Sequence, residues 1–78
     1  MNHPARNRLN AKKLMHSKWT AVAPTCKEKH FIVIGVVEPA TPGAPVTEVE
    51  LQAVHSQRVQ TLPWRALQDA SAWRQGWV

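Results

Sequence analysis

Apolar and polar positions alternate with a period of two along most of this chain. In "KWTAVAP", Trp19, Ala21 and Ala23 fall on one side of an extended segment, with Lys18, Thr20 and Val22 on the other. This predicts a strand ended by Pro24 and followed by a polar connection, "TCKEK". "HFIVIGVVE" is rich in β-branched residues and is the strongest strand signal. Phe31, Val33, Gly35 and Val37 share one face; Ile32, Ile34 and Val36 share the other. Both faces are apolar, so the strand is expected to be central and covered on both sides. A charge at either Val33 or Ile34 is then expected to abolish folding. Gly35 interrupts the run where a bulge or a close backbone approach is expected.

"VTEVELQAVH" alternates as a half-buried antiparallel strand does: Val49, Leu51 and Ala53 point one way, and Glu48, Glu50 and Gln52 the other. Three prolines and a glycine in "PATPGAP", residues 39–45, make the preceding stretch a loop. "HSQR" is the expected turn into a short strand, "VQTL". From Leu62 the period changes. Pro63 suits a first helical position, and Trp64 and Leu67 share one face of a turn. Asp69 is placed to cap a second turn, "ASAWRQ", which Gly76 ends. Near the start, "NAKKLMHS" predicts one or two helical turns, with Asn10 as N-cap and Leu14 and Met15 pointing inward. Residues 1–10 hold too little apolar surface to pack and are expected to be a disordered, flexible basic arm. The expectation is one mainly β domain over residues 11–78. Its sheet would be three- to four-stranded and antiparallel, or an SH3-like partial barrel, with short C-terminal helical turns. The order of elements resembles that of SH3-like and Tudor-like barrels.

Length adds a constraint. A 78-residue chain buries only roughly 60% of the surface exposed when unfolded, and such domains often need a staple. One cysteine excludes an intrachain disulfide, so four tryptophans and one phenylalanine must supply the packing. The basic N-terminus lacks the apolar core of a secretory signal, and the apolar run Phe31 to Val37 is too short to span a bilayer. With a single thiol, this places the protein in a bacterial cytoplasm, away from membranes. Net charge is +5, unevenly spread: +6 over residues 1–30, −3 over 31–57 and +2 over 58–78. A basic arm and a basic C-terminal third around an acidic middle suit attraction to a polyanion.

The stretches Ser-Lys-Trp-Thr-Ala (17–21), Lys-Glu-Lys-His-Phe (27–31), Trp-Arg-x-Leu-x-Asp (64–69) and Trp-x-x-Gly-Trp (73–77) together resemble a family of small tryptophan-rich bacterial proteins of unknown function. The resemblance covers most of residues 13–77. It implies a complete domain and brings no activity with it.

Candidate chemistry is sparse. Trp19, Trp64, Trp73 and Trp77 each offer a ring for stacking on a base or gripping a peptide. Lys18, Arg65 and Arg74 adjoin three of them, but neighbours in sequence point apart, so Trp19 and Trp64 are assigned to the core. His16, Cys26 and His30 lack the paired cysteines of a zinc site, and no metal or cofactor is expected. Lys27 and Lys29 could activate Cys26, with His30 or His16 as base and Glu28 as orienting acid, but a chain this short has little material for a substrate cleft. Three glycines cannot build a phosphate-binding loop, and no enzymatic activity is expected. The expected function is a small basic module binding RNA or another polyanion. Arg6, Arg8, Lys12 and Lys13 would contact phosphates, and Lys18, Lys27, Lys29, Arg65 and Arg74 would extend the surface. The alternative is a protein-interaction module docking through Trp73 and Trp77 or a free sheet edge.

Overall fold

Five strands form one open antiparallel sheet in the computed structural model, which describes residues 7, 9 and 11–78. They are β1 (Lys18–Thr25), β2 (Glu28–Val36), β3 (Glu48–Ala53), β4 (Val59–Pro63) and β5 (Trp73–Gln75). The spatial order is β4-β3-β2-β1-β5. Four strands thus form a meander, and the fifth crosses to lie beside the first, leaving β4 and β5 as edges. A 3₁₀ turn, Trp64–Gln68, links β4 to β5, and another, Ala11–Lys13, precedes β1. The sheet has one more strand than the sequence pattern predicts, because "ASAWRQ" is not a second helical turn. Its Trp73–Gln75 portion pairs with β1, with Ala21 opposite Trp73 and Trp19 opposite Gln75. Asp69 does organise this approach. Its carboxylate accepts hydrogen bonds from the Ser71 amide and hydroxyl, and its carbonyl accepts from the Ala72 and Trp73 amides.

One face of the sheet is covered and the other is open. Trp19, Phe31, Val33, Val49, Leu51 and Ala53 point to the covered face and meet Leu14 and Leu67 from outside the sheet. Leu9, Ala21, Leu62, Trp64 and Trp73 pack around them. Trp19 is the largest fully buried side chain, at 1% exposure. Its indole N–H donates to the Ser17 hydroxyl, which donates to the Leu14 carbonyl. The Trp64 indole N–H donates to the Val46 carbonyl, and the Trp73 ring meets Phe31 edge-on at 5.2 Å. Leu14 points inward as expected, whereas Met15 is exposed. The Asn10 cap lies outside the described residues. Of the expected arm, Asn7 and Leu9 are described and both are held: the Asn7 amide group donates to the Leu67 and Trp73 carbonyls, at 2.7 and 2.8 Å.

The expected two-sided burial of β2 is not found. β2 is the central strand, but only one of its faces is covered. Ile34, on the other face, is 37% exposed. Too little apolar mass lies outside the sheet to cover a second face. The expected irregularity at Gly35 is present: register slips between Val33 and Gly35, and Glu50 reaches across Gly35. A Cβ at Gly35 would sit 2.7 Å from the Glu50 carboxylate.

β1 does not stop at Pro24. It runs to Thr25, which pairs with Glu28, while its register against β2 shifts between Thr20 and Thr25. Pro24 can stay in the strand because this irregular stretch needs no ladder donor from it. The turn is therefore only Cys26 and Lys27, both at positive φ (54° and 61°). Positive φ at both central residues matches the right-handed twist of a hairpin and is ordinarily the preserve of Asn and Gly. Each L-side chain held there costs about 1–2 kcal/mol.

Glu28, read from the sequence as connection, is 3% exposed. It is ion-paired with the Arg58 guanidinium and accepts a hydrogen bond from the Ser56 hydroxyl. The turn after β3 is thereby tied to the start of β2. The Arg58 hydrogen bond, with help from Ser56, holds the Glu28 carboxyl at about 2 against an ordinary 4.5, although burial pushes the other way.

Three outcomes follow for stability. Trp19→Ala should cost about 3–5 kcal/mol in urea unfolding, and Val33→Asp should prevent folding, while Ile34→Lys should leave a cooperative transition close to the parent's. Cys26→Asn combined with Lys27→Gly should raise stability by about 0.5–2 kcal/mol on the same assay. A depressed carboxyl stabilises above its unfolded value and stops doing so as it protonates. The Glu28 contribution should therefore be complete above about pH 4.5 and vanish as pH falls towards about 2. Glu28→Gln should flatten that part of the stability–pH curve.

Candidate nucleic-acid interface

Alternation along β1 turns Lys18 and Thr20 to the open face when Trp19 turns inward. Lys18 lies opposite Ile32, and Thr20 lies between His30 and Arg74 on the two neighbouring strands. The chain leaves β5 at Gly76, whose φ of 82° suits glycine, and folds back over this face. Thr20 is buried beneath it. Its hydroxyl donates to the Gly76 carbonyl at 2.7 Å and accepts from the Val78 amide at 3.1 Å. A ring nitrogen of His30 lies 3.1 Å from the Val78 carbonyl oxygen.

This fold-back carries Trp77 onto the open face. Its indole N–H donates to the Phe31 carbonyl at 2.9 Å, which fixes the ring, yet the residue remains 44% exposed. The Lys18 ammonium lies 4.8 Å from the ring centroid, a cation–π distance, and His30 lies 6.1 Å away on a tilted plane.

Two shallow depressions are lined by the neighbours of Trp77 in sequence, Gly76 in one and Val78 in the other. One, about 350 Å³, is lined by Lys13, His16, Lys18, Gln75 and Gly76 together with Leu9, Ser17 and Trp19. The other, about 230 Å³, is lined by Lys29, Arg74, Thr20, Val22 and Val78, with Ala21. Neither lining includes an Asp or Glu side chain. The acids of β3 lie across the sheet, where Glu50 stands over Gly35 and Glu48 pairs with Pro63.

The structure thus sets Lys18 against Trp77, pairs Lys29 with Arg74 in one depression and Lys13 with Lys18 in the other, and leaves other sequence candidates elsewhere. Lys27 is at the hairpin tip, Lys12 is in the first 3₁₀ turn, and Arg65 lies 5.0 Å over the Trp64 ring. Arg6 and Arg8 lie outside the described residues. Trp73 and Trp77 do not form one patch, since Trp73 packs with the core on the covered face. His30 lies inside central β2, half-buried beside Trp77. Sequence reasoning missed the role of Thr20 and the seat of Trp77. The signal was Gly76, which reads equally well as a helix stop and as a strand turning back. Among the described residues no three of His, Cys, Asp and Glu are placed to hold a metal ion, and no helix is long and apolar enough to cross a membrane.

Comparison with known proteins agrees with the tryptophan pattern. No curated protein and no solved structure matches the chain. A family model does match, over residues 17–78, and it spans β1 to the Trp77 fold-back. The chain belongs to the tryptophan-rich protein family DUF2389, a family of unknown function.

Proposed function

We propose that the protein is a small binding module that takes up RNA or another polyanion on the open face of its sheet and carries out no chemical step on it. The observation behind this reading is the Lys18 ammonium over the exposed Trp77 ring, with one depression lined by Lys29 and Arg74 and a second lined by Lys13 and Lys18, neither having an Asp or Glu in its lining. Cations held on a sheet face can meet successive phosphates without rearranging the backbone, and their counterions are released on binding. Of the acids, Glu48 and Glu50 are on β3 and Glu28 is tied up by Arg58. We read the strand order, with β5 beside β1 and a 3₁₀ turn between β4 and β5, as SH3-like in arrangement. In that frame the ligand face is the open face at the β1–β5 side.

Salt dependence tests the reading. Affinity for a single-stranded RNA should fall steeply between about 50 and 200 mM salt. Replacing Lys18, Lys29 and Arg74 together by Gln should reduce the slope of log affinity against log salt by about 2, three phosphate contacts at about 0.7 each. Fluorescence anisotropy of a labelled oligonucleotide measures both. Binding that ignores salt and the triple substitution would instead favour a protein partner docking on Trp77 or on the β5 edge.

A further inference from the structure

Trp77 differs from the other three tryptophans in what is left of its ring. Trp19 is buried, and Trp64 and Trp73 are half-buried against the core. Trp77 alone of the four is exposed, and its N–H is already committed to the Phe31 carbonyl. It is held in one orientation by that bond and by Thr20 gripping the residues on either side of it. A ring fixed before the ligand arrives loses little freedom when one binds.

Cations lie on two sides of this residue: the Lys18 ammonium stands over the ring, and the next residue, Val78, lines the Lys29–Arg74 depression. The repeat is cation, aromatic face, cation. That is the repeat of a single-stranded nucleic acid, phosphate, base, phosphate. A duplex cannot use it, because its bases are already stacked and paired. Polyphosphate or a sulfated sugar would use the cations and leave the ring idle.

Resting on the polyanion reading above, we infer that the ligand is single-stranded nucleic acid, with one unpaired base stacked on Trp77 and its flanking phosphates at Lys18 and in the Lys29–Arg74 depression. The Lys18 ammonium stands over the ring when no base is there. A base that stacks takes its place, and the freed ammonium is then beside the adjoining phosphate. The protein thus keeps the ring covered by a charge that the ligand itself has use for. Nothing in this contact reads hydrogen-bonding edges, so recognition is tolerant of sequence.

The test compares three probes on the unaltered protein: a mixed-sequence single-stranded RNA octamer, its abasic counterpart with the same backbone, and a duplex of the same sequence. The octamer should bind about 5- to 150-fold tighter than the abasic chain, the range of one base–aromatic stack. It should bind tighter than the duplex by a similar factor. Trp77→Ala should erase the difference between octamer and abasic chain, and Trp77→Phe should keep most of it. Equal binding of octamer and abasic chain to the unaltered protein would overturn the stacking site while leaving the basic face as a polyanion surface. Failure of all three probes to bind at low salt would overturn both. The abasic comparison involves no substitution, so it stands even if Trp77→Ala loosens the fold-back.

Discussion

Burial of Trp19 sets the geometry of the rest. Its ring is the largest side chain wholly removed from water, and it fills the space between β1, Phe31 on β2 and Leu14. Once it points to the covered face, strand alternation sends Lys18 and Thr20 to the other. Thr20 then supplies the hydroxyl on which the chain from Gly76 to Val78 is pinned, and Lys18 the charge that stands over Trp77. The open face is therefore arranged by a residue that never touches it. Close packing has little tolerance for a shift of such a ring, so a loss of core order would reach the surface directly.

The small domain compensates for its thin core with polar ties of long sequence reach. Asn7 joins the start of the chain to the 3₁₀ turn and β5, across 60 and 66 residues. Glu28 joins β2 to Arg58 beyond β3, across 30 residues. Each tie is between partly buried groups, where an unmade bond costs more than a made one gains. They act mainly as constraints on register and docking. The strained Cys26–Lys27 turn is held in the same way, since the residue that follows it, Glu28, is anchored through its side chain.

The four meander strands were legible from alternation, and the core with them: Trp19, Phe31, Val33, Val49, Leu51 and Ala53 are the residues that period two assigns to one face. Gly35 announced the bulge. Three things were not legible. β5 is three residues long, and its strand character comes from pairing with β1, which no local pattern records. The second apolar face of β2 looked like a buried one because composition does not count the layers available to cover it. Pro24 looked like a terminator because the β1 irregularity that accommodates it depends on the partner strand. For the site, charge and aromatic content drew attention to Lys18 and Trp77, while their approach to one another required the fold-back at Gly76.

An open sheet leaves two rows of backbone donors and acceptors with no neighbour, and such rows invite other chains to add on. Here both rows are short or blunted. β4 ends in Pro63, which has no N–H to offer, and β5 has only three residues, centred on exposed Arg74, before Gly76 bends the chain away. A polymer built strand upon strand would have to grow from a ledge about 10 Å long with a cation in its middle. The fold-back that seats Trp77 thus also cuts the ledge short, and one glycine turn serves both recognition and colloidal independence.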